Sequence, residues 1–249
     1  MAQQSDLTSY LAKLLEIDNF RDYGPNGLQV EGKAEVHKIV SGVTASLALI
    51  DAAIDVGADL ILVHHGLFWR GQDGRLTGWL KRRVERLMAH QVNLLAYHLP
   101  LDAHPQWGNN AQLGQGLGLQ ADAQFGEQRL GFAAPTPELW TLDALVQRTE
   151  TLTRRAVVCV PGDGRLLRRV AWCTGGAQSY FEGAIAAGAD AFITGEISEP
   201  QAHLARETGV AFLAAGHHAT ERYGAPALAA HVAQTWGLSH EFIDVDNPA

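Results

Sequence analysis

An α/β fold made of two similar units is the class this sequence predicts, and three observations carry the prediction. Short apolar runs of strand length alternate with amphipathic stretches of helix length along most of the chain. The same strand–helix–strand pattern is found twice. Histidines and acidic residues collect directly after the apolar runs, where open α/β sheets gather their ligands.

The alternation can be followed element by element. VHKIVSGV (36–43) has strand length, SLALIDAAIDV (46–56) places apolar residues at helical spacing, and DLILV (59–63) is a second strand. A helix is predicted over 79–90 and a strand over VNLLAY (92–97). Strands alternating with helices imply crossover connections and a mostly parallel sheet.

The repeat emerges on alignment. VSGVTASLALIDAAIDVGADLILVHHG (40–66) lies over AWCTGGAQSYFEGAIAAGADAFITGEI (171–197) without a gap, Gly57 over Gly188, an offset of 188 − 57 = 131. His64 and His65 then fall on Gly195 and Glu196. Further along, LLAYHLPLD and LAAGHHATE share His-x-x-x-carboxylate: His98 and Asp102 against His217 and Glu221, an offset of 217 − 98 = 119. The turn-rich GQDGRLTG after Phe68, absent from the later copy, accounts for the difference of 131 − 119 = 12. Small and apolar residues align cheaply, but matched His-x-x-x-carboxylate motifs at equivalent places favour internal duplication. Between the copies, 122–168 reads as a crossover with its own helix and strand, and PGDG as a tight turn. The domain division is set near residue 125: 1–125 holds the first repeat with HHG and H-x-x-x-D, and 126–249 the second with TGE and HHATE.

Composition excludes several classes. A formal charge of −8 argues against non-specific nucleic-acid binding, which depends on Lys and Arg neutralising phosphates. The basic KRRVER (81–86) reads as a solvated helix face. MAQQSDLTSY lacks the features of a signal peptide, and no apolar run approaches the roughly 20 residues of a membrane helix. Cys159 and Cys173 are the only cysteines, so neither a disulfide framework nor a thiolate zinc site is expected, and a cytoplasmic location fits. Ser41, Ser46 and Ser179 have no nucleophile-elbow context, and neither cysteine has a basic neighbour.

What remains is imidazole and carboxylate. Four clusters follow strands: His64 with His65; His98 with Asp102; Glu196; and His217, His218 with Glu221. Such donors suit divalent ions from zinc to manganese, and six or more exceed what one zinc ion takes. His37, His90, His203, His231 and His240 read instead as hydrogen-bonded side chains. Adjacent strand residues point to opposite faces, so either the chain leaves the strand at His64–His65 or each ring serves a different centre. Asn109 or Asn110 is expected to cap the helix starting near Ala111, and the glycines of CTGGAQSY suit either an anion site or a plain turn.

LILVHHGLFW, YHLPLDAH-x-x-x-GNNAQL, WCTGGAQSY, TGE, GHHATERYG and NGLQV-x-G (26–32) together resemble the Nif-three-like dinuclear-metal hexameric protein family over nearly the whole chain. Bacterial members are often labelled GTP cyclohydrolase I type II homologues. The resemblance implies two similar, intertwined three-layer α/β/α domains and a toroidal homohexamer. It implies two divalent ions per subunit (Zn, Mn, Fe, Co or Ni) held by His64, His65, Asp102, His217 and Glu221. His64 and His65 would each take one ion, and Asp102 and Glu221 would bridge or flank the pair. His98 is a further ligand or a proton shuttle, and His218 a second proton-moving candidate. The extra domain many relatives carry does not fit within 122–168. The expected function is metal-dependent hydrolysis of a small cyclic or phosphorylated compound, with GTP the nucleotide the family label suggests. The rival is a non-catalytic metal-handling or scaffold protein.

Overall fold

The structure, a computed structural model, describes residues 1–249. It is mixed α/β, and the chain forms two compact units: Met1–Gly108 with Gly224–Asp246, and Asn109–Tyr223 with Asn247–Ala249. No helix is long and apolar enough to cross a membrane.

The first unit is organised by a five-stranded sheet in the order Ser239–Phe242, Lys38–Thr44, Leu60–His65, Asn93–Ala96, Gly27–Val30. Its first four strands run parallel, and Gly27–Val30 closes the edge antiparallel to Asn93–Ala96. Side-chain alternation divides the strands between two cores. Val40, Ile61, Val63 and Leu94 pack with Leu49 and Ile50 of helix Leu47–Asp55 and Val84 and Leu87 of helix Gly78–Ala89. Ile39, Leu60, Leu62, Leu95 and Tyr97 pack with Leu7 and Leu11 of helix Gln4–Leu14 and with Leu228 and Val232 of helix Gly224–Trp236. Every element expected before residue 100 is present, with ends shifted by a few residues.

The second unit carries a six-stranded sheet in the order Ala123–Phe125, Gly131–Trp140, Leu167–Trp172, Ala191–Thr194, Ala211–Ala214, Val158–Val160. The three strands Leu167–Trp172, Ala191–Thr194 and Ala211–Ala214 are parallel, and their neighbours on either side are antiparallel. The 122–168 segment supplies helix Leu142–Thr153 and the strands Gly131–Trp140 and Val158–Val160.

The GAD triplets read as the anchor of the repeat have the same physical job in each unit. Gly57 (φ +74°) and Gly188 (φ +75°) take the left-handed conformation that ends a helix, where a Cβ would be strained. Two residues on, Asp59 Oδ2 accepts from the backbone N–H of His37 (2.7 Å) and Lys38 (3.0 Å). Asp190 Oδ2 accepts from Arg168 (2.8 Å) and Arg169 (3.2 Å), the residues 131 positions later. The first strand–strand ladder keeps that offset: Ile39 pairs with Leu60, and Val170 with Ala191. The next ladder shifts it. Leu60 pairs with Asn93 and Ala191 with Ala211, so the third strands are related by 211 − 93 = 118. His98 is thus level with Gly216, not His217; the aligned histidines differ by one residue, and Gly216 takes it up at φ +95°.

Burial opposes ionisation of Asp59, but the Lys33 ammonium (2.6 Å) and the two N–H groups outweigh it and hold the carboxyl below its ordinary value. A pKa lowered by folding adds stability that is complete above the unfolded value and is lost as pH falls through the folded one. Asp59→Ala is expected to destabilise the protein by roughly 1–3 kcal/mol at neutral pH. Urea midpoints should show the gap between wild type and variant narrowing as pH falls below about 4.

Candidate metal centre

At the carboxyl end of the first sheet, strand Leu60–His65 runs through both tandem histidines, and their rings nevertheless lie together. Their centroids are 4.5 Å apart, and that of His98 is 5.1 and 5.7 Å from those of His64 and His65. The expectation that a regular strand would separate them is corrected. The ladder to the next strand ends at Val63–Ala96, so beyond it the rings can swing over the sheet edge. One ligand atom from each of His64, His65 and His98 falls within 4.8 Å of the others.

The ring orientations follow from what each Nδ1 meets. His64, wholly buried, donates Nδ1–H to the Tyr97 carbonyl at 3.0 Å. A carbonyl only accepts, so the neutral ring keeps its lone pair on Nε2. That nitrogen faces Asp102 Oδ1 at 3.5 Å. Two lone-pair donors so close repel unless a proton or cation lies between them. Asp102 is itself buried in the short helix Leu99–Ala103, whose first turn holds Pro100. His65 Nδ1 shares a hydrogen bond with Thr44 Oγ1 at 3.1 Å. His98 Nδ1 lies 2.6 Å from Asp22 Oδ1.

Asp22 is the residue that sequence reasoning passed over. RDYGPN reads as a turn, and nothing in it announces a buried carboxylate. Oδ1 of Asp22 accepts from His98 and from the Tyr23 N–H (2.6 Å); Oδ2 accepts from the Leu99 N–H and the Asn26 amide, both 2.9 Å. Burial works against ionisation, but these bonds, led by that of His98, hold the Asp22 carboxyl below its usual range. Trp69 stands edge-on to His98 at 5.0 Å, and Tyr23 lies 6.1 Å from it.

The second unit gathers Glu196, His217 and Glu221. His217 Nδ1 is 2.6 Å from Glu196 Oε1, and Nε2 is 3.2 Å from Glu221 Oε2. Gly175 (φ +69°) lets the turn close over this cluster, since a Cβ there would meet Glu221 Oε1 at 2.0 Å. The CTGG turn is tied down by its own neighbours. Thr174 N–H donates to Asn110 Oδ1, Gly175 N–H to Thr220 Oγ1, and Ala177 N–H to Thr194 Oγ1. Those three amides are spent internally, which favours the plain turn of the two readings. Asn110, in the first turn of helix Asn109–Leu117, also donates to the Leu130 carbonyl and so ties loops together. His218 lies beside His217 in the helix His217–Thr220, mostly buried, and its backbone N–H donates to the Ala249 carbonyl. Of the histidines read as ordinary, His231 bonds Tyr10, His240 bonds Ser41 and His203 bonds Glu199.

These donors fit a divalent ion. The sets are imidazole and carboxylate, with His64, Asp102 and Glu221 buried and His65, His98 and His217 half-buried. The Nδ1 atoms of His64, His65, His98 and His217 are each engaged by an oxygen, which directs Nε2 outward as the liganding atom.

Fold and site thus define an α/β protein with a histidine- and carboxylate-rich candidate metal centre. The chain belongs to the Duf34/NIF3 (NGG1p interacting factor 3) family, matched over residues 2–248. It is 50% identical over 249 residues to the "GTP cyclohydrolase 1 type 2 homolog" of Neisseria meningitidis serogroup A, covering the whole of both chains. The Escherichia coli K12 protein of the same name is 45% identical over 247 residues, 99% of this chain and 100% of the other. Among solved structures, protein ybgI superposes with a TM-score of 0.94 at 44% identity, covering 99% of this chain and 100% of that one. TTHA1606 of Thermus thermophilus gives 0.91 at 35% identity with the same coverage.

His217 sets a pH dependence. The hydrogen bond to Glu221 raises its pKa most; burial opposes, and the Glu221 charge and Glu196 add, pushing it up to about 9. In chelator-treated protein the ring is therefore an imidazolium at neutral pH, and a cation binding Nε2 must displace that proton. Apparent affinity for Mn²⁺ or Zn²⁺ should rise about tenfold per pH unit below that value and level off above it. Titration calorimetry in buffers of different ionisation enthalpy reads the released proton, and release should vanish in His217→Gln.

Proposed function

We propose that the protein is a divalent-metal-dependent hydrolase of small cyclic or phosphorylated compounds, with GTP the substrate its relatives' names suggest. The ligands in this reading are His64, His65 and Asp102 of the first unit and His217 and Glu221 of the second. His98 and His218 move protons. Two cations per subunit suit the number of donors, which together exceed the three or four that one zinc ion takes. When bound, they supply Lewis acidity that polarises a substrate oxygen and activates water at neutral pH.

The observation that carries the reading is the shared orientation of His64 and His98, whose Nδ1 atoms are held by acceptors, leaving Nε2 as the available nitrogen, with one ligand atom of each within 4.8 Å of the other. For this chain's own groups the roles follow from chemistry. His98, fixed by Asp22 and rimmed by Trp69, is placed to take or give a proton at Nε2. Asp102, buried against His64, holds negative charge where a cation is needed.

The reading extends to architecture. We take the two units to be three-layer α/β/α domains descended from one duplicated ancestor, with the repeat boundary near residue 125. Support comes from the matching Asp59 and Asp190 hydrogen bonds and from three parallel strands in chain order in each sheet. A cytoplasmic toroidal homohexamer is the assembly proposed.

Metal analysis of purified protein, followed by incubation of the Mn²⁺- or Zn²⁺-loaded form with GTP, tests the function. Ultraviolet absorbance should report opening of the purine's five-membered ring, and Asp102→Ala should abolish both turnover and metal retention. Stable metal without turnover on GTP or other cyclic and phosphorylated substrates would favour the metal-handling alternative.

A further inference from the structure

The His98–Asp22 pair has a geometry that the ligand list alone does not require. Asp22 sits 76 residues before His98, on a different segment, yet its side chain is only 4% exposed and its Oδ1 is 2.6 Å from His98 Nδ1. Burying a carboxylate without compensation is strongly unfavourable. Here both oxygens are fully engaged by Tyr23, His98, Asn26 and Leu99. The segment itself is strapped in place: Arg70 donates to the Asp22 carbonyl through Nη2 (2.8 Å) and to the Tyr23 carbonyl through its backbone N–H (2.6 Å). His98 is gripped from the same strap a second time, because its backbone N–H donates to Asn26 Oδ1 at 2.8 Å.

We infer that Asp22 is the positioning residue of His98: it holds the ring's proton on Nδ1 and turns the bare Nε2 toward His64 and His65. A carboxylate can only accept, so the neutral ring has one tautomer available to it while the bond lasts. Glu196 stands against His217 Nδ1 at the same 2.6 Å, but there the second carboxylate, Glu221, faces Nε2 and keeps that ring protonated, so only the Nδ1 contact is shared. The inference rests on the hydrolase reading only for its purpose. An imidazole that moves a proton at Nε2 must keep that atom basic and aimed, and an unconstrained ring would spend part of its time flipped or in the other tautomer. The competing explanation is structural, with Asp22 serving only to pin the 22–26 strap to Leu99 and Asn26.

Nitrogen-15 NMR of histidine-labelled, chelator-treated full-length protein separates the two without any metal or substrate. At a pH where the ring is neutral, wild-type His98 should show a protonated Nδ1 and an unprotonated Nε2. Asp22→Asn, whose amide can donate as well as accept, should convert this single state into a mixture. Asn26→Ala loosens the same strap but leaves the carboxylate, and should keep the wild-type signature. A proton on Nε2 in the wild type overturns the inference with no variant needed, and so does an unchanged signature in Asp22→Asn.

Turnover in the assay above provides a second arm. Asp22→Asn should lower kcat by about 10²–10⁴-fold with KM little changed. It should cost nothing further in a His98→Gln background; an equal loss in both backgrounds contradicts the inference. If no turnover exists, the hydrolase reading fails and the NMR signature still decides the role of Asp22.

Discussion

Everything that distinguishes the histidine clusters of the two units from ordinary surface histidines depends on what sits behind the rings. A histidine has two nitrogens, and only a hydrogen bond to one determines which is left to act. Here Tyr97 O, Thr44 Oγ1, Asp22 and Glu196 each engage an Nδ1, so four imidazoles present the same atom outward. Remove those oxygens and the rings would remain, but with nothing to fix which nitrogen each one offers. The acceptors come from ordinary parts of an α/β fold: a strand-end carbonyl, a strand-end hydroxyl and two loop carboxylates.

The sheet supplies the rest. Parallel strands end on one side, and the backbone groups beyond their last ladder pair are free to serve side chains in place of neighbours. His64 and His65 stand past the last pair with strand Asn93–Ala96, although His65 still pairs with Thr44 on the other side, and His98 and His217 follow the strands that come next in each sheet. Glycines permit the close approaches: Gly195 backs onto the His217 backbone, where a Cβ would sit 2.6 Å from its Cα. The Asp59 and Asp190 carboxylates fix the opposite ends of the same sheets by capping strand N–H groups. In each unit one acidic residue thus sets the register at the amino ends of the strands, while imidazoles work at the carboxyl ends.

Much of this is legible in the residues. Apolar periodicity locates the strands and helices of the first hundred residues to within a few positions, because burial on a sheet enforces it. The likeness of the two halves is legible through GAD, whose Gly and Asp have conformational and hydrogen-bonding duties that few other residues meet. Its register across His98 and His217 is off by one, since a single residue's difference beside Gly216 leaves the motif intact while shifting the ladder. The tandem histidines are visible, but not how they meet: strand alternation governs Cβ directions, not where long rings swing past the last pair. Asp22 is invisible, because a carboxylate among turn residues looks solvated until 22–26 packs against Leu99. The long-range bonds of Asn110 are hidden in the same way, its partners Leu130 and Thr174 being distant in sequence.

Anomalous diffraction from crystals equilibrated with manganese or zinc tests the central claim most directly. The account predicts peaks bonded by Nε2 of His64 and His65 and by the Asp102 carboxylate in the first unit, and by His217 Nε2 and Glu221 in the second. Density bonded to Nδ1, or none near these residues at saturating cation, would contradict it.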